Sequence, residues 1–477
     1  MQHLTVCTTC SPSLFQGLRD LERGSLCAVC DFSHAHLSDI LRRTGESYAE
    51  HGCQVASVLS ENSADVSLLK VAVLHDVLLH KNGPALLSKS PLSKDERELI
   101  VQMHGLRRLH IDESTKDLDT VINAFMEDTR LLPLRMAHRL NDVRHLQLFL
   151  PTLRKQIAKE TLHMYTAIAG RLGMHAWRYE MEDACFPIVQ PKACANLREK
   201  FSQMEELDKT CLTHTQEFLM KNLQNEGISC HMDVRVKGLY STYRKMVIKK
   251  RRFQDLTDRL AVRIVVPEVM DCYKTLAVVH ACMHPIPGKL KDYIGAPKEN
   301  GYQSIHTVVY PLPGVTEQPM EIQIRAEEMH RICEHGHASH AEYKTLMYAL
   351  HARSARVNLF RNLQSLREEA RSPQQFQEAM RKYFREDHVA IFDGDDNLYH
   401  FKQPVSAMDF VCTVHPSRCD KLKEIRINGR KMQLSSRLQD GDIVEVRFAR
   451  EKTLQADWSH ACCHLANKRK LSALSAS

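Results

Sequence analysis

The spacing of apolar residues changes partway along the chain, and this change constrains the fold more than any other feature. From residue 17 to residue 171, segments such as SLLKVAVLHDVLLH repeat Leu, Ile, Val and Met with the period of an amphipathic helix. From residue 185 to residue 344, helical segments alternate with the strand candidates LAVRIVV (260–266), SIHTVVYPL (304–312) and PMEIQIR (319–325). We therefore predict an all-helical domain followed by a mixed α/β domain.

A third region follows a polar, Arg- and Gln-rich helical connector at residues 350–385. In it, VAIFDGDDNLYHF, EIRINGRKM and GDIVEVRF are short strand candidates separated by Asp-Gly and Asn-Gly turns. This pattern predicts a small β-rich module. The last residues, ending NKRKLSALSAS, are expected to be frayed.

Composition and cysteine usage favour an intracellular protein that does not enter a membrane. The 477 residues carry a formal net charge of +7 and 16 cysteines, with no signal peptide and no apolar run of membrane-spanning length. Reduced thiols in the cytoplasm fit this pattern, and a processed protein of the plastid stroma is the alternative. A structural zinc ribbon would match the sequence spacing of Cys7, Cys10, Cys27 and Cys30. The apolar residues around Cys27 and Cys30 favour buried free thiols instead.

Two acidic residues of the middle domain stand at strand positions suited to a metal ion. The strand PMEIQIR alternates, so that Glu321, Gln323 and Arg325 share one face. Asp258 stands just before the strand LAVRIVV. Two carboxylates on neighbouring strands commonly hold Mg²⁺ against a nucleoside triphosphate. Two exposed acidic residues are the alternative interpretation.

Basic residues cluster on both sides of Asp258 in the sequence. The stretch GKLKDYIGAPKENGYQSIHT contains an Asn-Gly turn and the candidates Lys291, Lys298, Tyr302 and His306. Upstream, the residues that precede the run KKRRF include Arg235, Lys237, Arg244 and Lys245. Lysines bind phosphate as point charges and a tyrosine offers its face to a base, whereas a solvated basic face is the alternative. Together with the two carboxylates, these residues predict a nucleotide phosphate site.

The longest motifs resemble a known family. VRVKGLYSTYRKM, FQDLTDRLAVRIVV, PIPGKLKDYIGAPKENGYQSIHT and MEIQIRAEEMHRICEHGHASH resemble the synthetase domain of the RelA/SpoT family, which makes guanosine tetra- and pentaphosphate, (p)ppGpp. RLGMHAWRYEMEDACFPIVQP resembles the segment that joins this domain to a helical HD hydrolase domain, and VAIFDGDDNLYHF through GDIVEVRF resembles the TGS module. The resemblance implies an α+β fold with an all-helical HD-type domain, a mixed α/β nucleotidyltransferase-like synthetase domain and a small β-grasp TGS module.

These resemblances divide the chain into five parts. They are a helical HD-like domain at 17–175, a synthetase domain at 185–345, a helical linker at 346–386, a TGS domain at 387–450 and a C-terminal tail at 451–477.

The resemblance also implies a reaction, in which the β,γ-diphosphate of ATP moves to the 3′-hydroxyl of GDP or GTP. By motif, Asp258 and Glu321 would be catalytic and would hold Mg²⁺, and Glu321 would take the hydroxyl proton. The implied ATP-binding residues are Arg235, Lys237, Lys245 and Arg263. The implied guanine-nucleotide-binding residues are Lys291, Lys298, Asn300, Tyr302 and His306.

The helical domain departs from the family's hydrolase pattern at AVLHDVLLHK. The degenerate metal site would consist of His51, His75, Asp76 and His138, with a histidine in place of one carboxylate and Mn²⁺ as the expected ion. The Glu-Asp pair that the family places one turn after its His-Asp pair is Leu79 and His80 here. Asp142 and His145 also replace the expected Asn and Thr. We therefore predict no useful (p)ppGpp hydrolase activity.

The resemblance implies partners as well as substrates. His415 in FVCTVHPS matches the family's TGS histidine, which meets the 3′ end of uncharged tRNA on the ribosome. Uncharged tRNA and the ribosome are thus expected partners besides ATP and GTP or GDP, and a homo-oligomer is a further expectation. Two other classes of function remain open. They are a (p)ppGpp 3′-pyrophosphohydrolase with a residual HD metal site and a catalytically silent regulator that binds guanine nucleotides or tRNA.

Overall fold

A computed structural model describes most of the chain. The described residues are 12–61, 65–106, 124, 127–128, 130–249, 252–253, 256, 258–298, 301–316, 318–335, 388–394, 398–439, 441–455 and 457–476. Those within 1–291 and 305–380 form one compact unit, and those within 292–304 and 381–477 form a second. The predicted linker, Cys7, Cys10 and Asn300 lie outside the described residues.

The described part of the N-terminal region contains helices and no named strand, as the apolar period predicts. Their bounds are α1 Asp20–Leu37, α2 Tyr48–Ser60, α3 Val66–Leu74, α4 Gly83–Lys89, α5 Lys94–Leu106, α6 Leu131–Arg144, α7 Pro151–Glu160, α8 Thr166–Arg171 and α9 His175–Val189. Polar side chains fix where these helices begin. Ser47 and Glu50 form a capping box at the start of α2, and the Asp65 carboxylate accepts a hydrogen bond from the Leu68 N–H at the start of α3.

Helices α2 and α3 approach each other closely at Gly52. A Cβ atom on this residue would lie 2.1 Å from the carbonyl oxygen of Val73, so only glycine permits the contact. The approach positions His51, the neighbour of Gly52 on α2, beside His75, which caps the C-terminal end of α3.

The rest of the first unit is built around a mixed five-stranded sheet. The elements are α10 Pro191–Asn225, β1 His231–Val236, α11 Leu239–Lys249, β2 Leu260–Val266, α12 Val269–Cys282, β3 Lys291–Asp292, β4 Ile305–Val309, β5 Met320–Ala326 and α13 Glu327–His335. The strand order is β1-β2-β5-β4-β3, and β2 pairs with β5 in parallel. Strand β2 has the predicted bounds, whereas β4 ends at Val309 rather than at residue 312, because Pro311 has no N–H to donate to a ladder.

The second unit holds a small sheet covered by helices. Its elements are β6 His388–Asp393, β7 Leu398–Lys402, α14 Ala407–Val414, β8 Leu422–Ile427, β9 Arg430–Lys431, β10 Ile443–Phe448, α15 Trp458–Ala461 and α16 Leu465–Ala476. The strand order is β7-β6-β10-β8-β9, and Phe410 of α14 is fully buried in the core. The short strands predicted in this module are confirmed.

The expectation that the last residues are frayed is wrong. They form α16, and Leu471 is only 1% exposed in the core of the second unit. The buried Asp409 carboxylate accepts hydrogen bonds from the Cys463 N–H at 2.7 Å and the His464 N–H at 3.1 Å, and from Asn467 Nδ2 at 3.0 Å. These bonds tie the C-terminal helix to α14 and offset the conformational entropy lost by ordering it.

Two further sequence expectations concern thiols and membranes. Cys27 and Cys30 lie on α1, and Cys30 is fully buried. Among the helices that the structure describes, none combines the length and apolar character needed to cross a bilayer.

Candidate functional site

The sheet of the first unit has one apolar and one polar face. Residues Val262, Ile264, Ile322 and Ile324 are fully buried on the apolar face. On the other face, Arg235 of β1 and Glu321 of β5 both pair with Ala261 of β2. Arg263 and His306 likewise both pair with Gln323. Paired residues point to the same side of a sheet, so the strand pairing brings four predicted site residues to one face.

Asp258 lies in a turn just before β2 and is held by two lysines. Its Oδ2 atom is 2.7 Å from Lys237 Nζ and also contacts Lys245 Nζ. Burial opposes ionisation of the carboxyl, but the two ammonium groups outweigh it and lower the pKa of Asp258 to about 2. The Oδ1 atom is buried and has no hydrogen-bond partner among the described residues. A buried carboxylate oxygen in this state fits a hard cation.

Glu321 is paired with a histidine from the neighbouring strand. His306 Nδ1 lies 3.1 Å from Glu321 Oε1, and Gln323 Nε2 donates to Oε2 at 3.2 Å. Burial raises the pKa of Glu321, whereas the hydrogen bond and charge of His306 lower it, and the net shift is downward. Asp258 contributes to the electrostatic environment of Glu321, so the two carboxylates are close enough to interact.

Two arginines complete the polar face. The guanidinium of Arg235 lies over the ring of Tyr179 on α9, 4.2 Å from its centroid. Arg263 Nη1 lies 3.9 Å from Asp233 Oδ2 on β1. Sequence reasoning missed Tyr179, because nothing in the local pattern of α9 indicates which strand its ring faces.

The predicted guanine-nucleotide residues are divided between the two units. His306 belongs to the sheet of the first unit, and Lys291 begins β3. Lys298 and Tyr302 lie in the segment 292–304, which belongs to the second unit. Within that segment, Lys298 Nζ is 4.4 Å from the ring centroid of Tyr293 and 5.3 Å from that of Tyr302. Lys298 and Tyr302 are therefore neighbours within this segment.

A second cluster lies in the helical region. One ligand atom from each of His51, His75, Asp76 and His138 lies within 4.8 Å of the others. The ring centroids of the three histidines are 5.1, 5.0 and 5.2 Å apart. Among the residues that the structure describes, the buried Nε2 atoms of His51 and His75 have no hydrogen-bond partner. Burial lowers the pKa of His75 to about 3. Neutral imidazoles with an orphaned nitrogen fit a transition-metal ion.

The carboxylates around this cluster are tied into ion pairs. Arg42 contacts both Glu46 and Asp142, and His138 Nδ1 lies 3.3 Å from Asp142 Oδ2. Burial opposes the ionisation of Glu46, but His51 and Arg42 lower its pKa to about 2. Burial acts likewise on Asp142, and His138 with Arg42 lower its pKa far below the usual range. Neither group therefore holds a proton at neutral pH.

The two positions one turn after the His-Asp pair, Leu79 and His80, supply no carboxylate. Leu79 ends a short 3-10 turn, and His80 Nδ1 accepts a hydrogen bond from the Asn82 N–H at 2.9 Å.

In the second unit, His415 does not lie within α14 but caps its C-terminal end, with its ring 5.1 Å from that of Phe448.

Three family models match the chain. An HD domain matches residues 29–175, the region found in RelA/SpoT proteins matches residues 234–347, and a TGS domain matches residues 390–447.

Curated relatives match most of the chain. A probable guanosine-3′,5′-bis(diphosphate) 3′-pyrophosphohydrolase of Synechocystis sp. is 28% identical over 93% of this chain and 60% of its own length. The bifunctional (p)ppGpp synthase/hydrolase SpoT of Escherichia coli is 31% identical over 87% of this chain and 60% of its own length. The chain thus spans less than two thirds of each relative.

Among solved structures, the small alarmone synthetase 1 of Bacillus subtilis bound to pppGpp covers 36% of this chain and all of its own, at 23% identity and a TM-score of 0.26. That score is too low to support any inference. The order of HD, synthetase and TGS regions and the relatives that span all three place this chain in the RelA/SpoT family.

Proposed function

We propose that the chain is a GTP or GDP diphosphokinase that makes (p)ppGpp. The observation that carries this proposal is the polar sheet face, where Arg235, Arg263, His306 and Glu321 stand together beside Asp258 and its two lysines. Diphosphate transfer depends mainly on positioning and on neutralising charge. An arrangement of cations and carboxylates on a rigid sheet supplies both.

The basic residues of this face would bind ATP. Lys237 and Lys245 carry ammonium groups at Asp258, where they can contact phosphate oxygens as point charges. Arg235 has one face of its guanidinium on Tyr179, which leaves a flat cation in a fixed orientation for adenine. Arg263 on the adjacent strand would add a further positive charge.

Asp258 and Glu321 would hold Mg²⁺. The orphaned, buried Oδ1 atom of Asp258 supports this role, because a buried carboxylate oxygen without a partner is costly unless a cation binds it. When bound, Mg²⁺ would neutralise the phosphate oxygens of ATP.

Glu321 is the proposed general base. The lowered pKa of Glu321 keeps its carboxylate charged at neutral pH, so that it can accept the proton of the 3′-hydroxyl. That oxygen forms a bond to the β-phosphorus of ATP, the bond from the β-phosphorus to the α,β-bridging oxygen breaks, and AMP leaves. His306, hydrogen-bonded to Glu321, would orient the carboxylate beside the guanosine nucleotide.

The guanine base and its phosphates would be bound by the remaining predicted residues. Tyr302 is proposed to stack on guanine, with Lys298 beside it. Lys291 and Asn300 are proposed as further contacts on the grounds of motif alone.

We further propose that the helical region binds a metal ion but does not hydrolyse (p)ppGpp. The orphaned imidazole nitrogens of His51 and His75 support metal binding, with Mn²⁺ as the expected ion. Hydrolysis is opposed by Leu79 and His80, because these positions supply no carboxylate for the attacking water and its proton. Hydrolysis is the second candidate function, favoured by the compact four-residue cluster.

Recognition of uncharged tRNA on the ribosome is proposed for the TGS region, with His415 as a contact. The ring of His415 lies against Phe448, and the Arg418 guanidinium lies 4.2 Å from the centroid of the same ring. An aromatic ring with a cation and an imidazole is a suitable surface for an unstacked base.

One variant separates synthesis from silent binding. Glu321→Gln removes the base while keeping the shape of the side chain, so that (p)ppGpp formation should be lost and binding of GTP largely retained. Anion-exchange separation of nucleotides measures the first, and equilibrium dialysis with GTP measures the second. Wild-type protein that binds GTP but forms no product, even with uncharged tRNA and ribosomes, would support the silent regulator.

A further inference from the structure

A buried ion pair involves Arg259, the residue that directly follows the proposed metal ligand Asp258. The side chains of Arg259 and Asp208 are each only 4% exposed, and they form a two-point contact. Arg259 Nη2 donates to Asp208 Oδ1 at 2.7 Å, while Nη1 contacts Oδ2. The guanidinium also lies 5.4 Å from the ring centroid of Phe253.

The same guanidinium reaches a third element. Arg259 Nη2 also donates to Gln318 Oε1 at 2.5 Å. Gln318 is in turn fixed by the buried Thr316, whose Oγ1 donates to the Gln318 carbonyl at 2.8 Å. One arginine therefore joins the long helix α10, the start of β2 and the segment that leads into β5.

Arg259 and Gln318 lie close in the chain to the two proposed metal ligands. Arg259 follows Asp258 directly, and Gln318 stands two residues before β5, the strand that carries Glu321. The Arg259 carbonyl also accepts a hydrogen bond from the Lys237 N–H at 2.9 Å, which fixes the backbone of a lysine that contacts Asp258. A rotation of Arg259 would therefore move Asp258 and Lys237 relative to Glu321.

A buried ion pair is an inefficient way to stabilise a fold. Removing two charges from water is costly, and packed apolar residues of similar volume often stabilise a fold equally well. The pair adds directional contacts that apolar residues lack, because a guanidinium donates its hydrogen bonds in a fixed planar geometry.

We propose that Asp208, Arg259 and Gln318 form a positioning network that sets the spacing of the Asp258 and Glu321 carboxylates and so determines metal affinity. The three residues would act through Asp258 and Glu321, so they are positioning residues. The inference rests on the proposed function only in assigning the metal to Asp258 and Glu321.

The test separates positioning from stability by comparing two kinds of variant. Asp208→Asn leaves the Arg259 charge buried and unpaired, so both stability and geometry should suffer. Asp208→Leu combined with Arg259→Met replaces both charges by apolar groups, which should restore the melting temperature but not the directed contacts. Glu160→Gln is the matched control, because it breaks the Arg139–Glu160 pair in the helical region, where the side chains are 10% and 12% exposed.

The readout is metal affinity rather than turnover. Electron paramagnetic resonance measures Mn²⁺ binding in the presence of α,β-methylene-ATP, which cannot transfer its diphosphate. All proteins carry His75→Ala to remove the helical cluster, and Asp258→Asn defines the signal of the proposed site. Loss of an outer partner of a metal ligand commonly weakens affinity by about tenfold or more. We expect a shift of that size in the Asp208→Leu, Arg259→Met double variant at an unchanged melting temperature.

Each outcome decides the inference. An unchanged Mn²⁺ affinity in the double variant, or the absence of an Asp258-dependent signal in the parent, would overturn it. If the double variant does not fold, Gln318→Leu replaces it, since this change cuts only the link to β5 and should also weaken Mn²⁺ binding. Separate measurement of (p)ppGpp synthesis distinguishes the two proposals. If the parent protein makes (p)ppGpp but the double variant binds Mn²⁺ with unchanged affinity, only the positioning network is refuted. If the Mn²⁺ affinity shifts but the parent protein makes no (p)ppGpp, only the proposed function is refuted.

Discussion

His306 Nδ1 lies 3.1 Å from Glu321 Oε1, and the two residues come from the adjacent antiparallel strands β4 and β5. Burial of Glu321 opposes its ionisation, yet the contact with His306 lowers its pKa below the ordinary value. A strand pairing thus sets the protonation state of the proposed base.

The first prediction concerns His306→Ala. A carboxyl with a lowered pKa is charged above that pKa, and activity that needs the charged form is lost as the pH falls through it. Removing the donor raises the pKa of Glu321, so the acidic limb of the kcat profile should move to higher pH. The measurement is kcat at saturating ATP and GTP across the pH range.

His280→Ala is the control for this experiment. His280 lies on α12 and contacts Thr307 Oγ1 at 3.0 Å, away from the polar sheet face. Its removal should leave the acidic limb in place. An acidic limb that stays fixed in His306→Ala would show that Glu321 is not the titrating base.

The second prediction concerns the dependence of stability on pH. Lys237 and Lys245 lower the pKa of Asp258 to about 2, from an ordinary value of 3.8. The folded state therefore takes up the proton at lower pH than the unfolded chain, and the resulting stability is present above pH 3.8 and lost as the pH falls to about 2. The shift corresponds to at most about 2 kcal/mol.

Urea denaturation of wild type and Asp258→Asn across this range provides the measurement. The free energy of unfolding of wild type should fall by more than that of the variant between neutral and strongly acidic pH. Parallel curves for the two proteins would rule out the ion pairs as the cause.

The third prediction separates metal binding from hydrolysis. Purified protein should bind Mn²⁺ at the helical cluster and should release no pyrophosphate from ppGpp. His75→Ala removes a buried ligand and should reduce bound Mn²⁺, measured by electron paramagnetic resonance. His80→Ala should not, because His80 lies outside the cluster. Release of pyrophosphate that disappears in His75→Ala would refute the loss of hydrolysis.

The fourth prediction concerns the C-terminal helix. Asp409→Ala leaves the Cys463 and His464 N–H groups and the Asn467 amide without their acceptor, which should cost about 2–3 kcal/mol of unfolding free energy. Thermal unfolding and limited proteolysis after residue 450 should both report this loss. Asp442→Ala, at a more exposed position with bonds to Asn428 and Gln439, should cost less. Equal losses of unfolding free energy in the two variants would show that Asp409 does not hold the C-terminal helix against α14.

Local patterns predicted the strands and the polar face. The alternation in PMEIQIR places Glu321 and Gln323 on one side, and β5 shows that arrangement. The apolar run LAVRIVV predicts β2 to the residue, because a strand whose side chains are mostly buried on both faces is nearly continuous in Val, Ile and Leu.

Contacts between distant segments could not be predicted in this way. Arg259 meets Asp208 across 51 positions, and Arg235 meets Tyr179 of a preceding helix. The final helix was missed because its order depends on the buried carboxylate of Asp409, 54 positions before Cys463, and not on its own weak apolar pattern.

The most direct test of the proposed function is transfer of labelled diphosphate. The protein is incubated with Mg²⁺, GTP and ATP labelled in the γ-phosphate, and the nucleotides are separated by anion exchange beside a Glu321→Gln control. The proposal predicts labelled pppGpp and AMP in equal amounts, with neither formed by the control. AMP without labelled pppGpp, or labelled product that persists in Glu321→Gln, would contradict it.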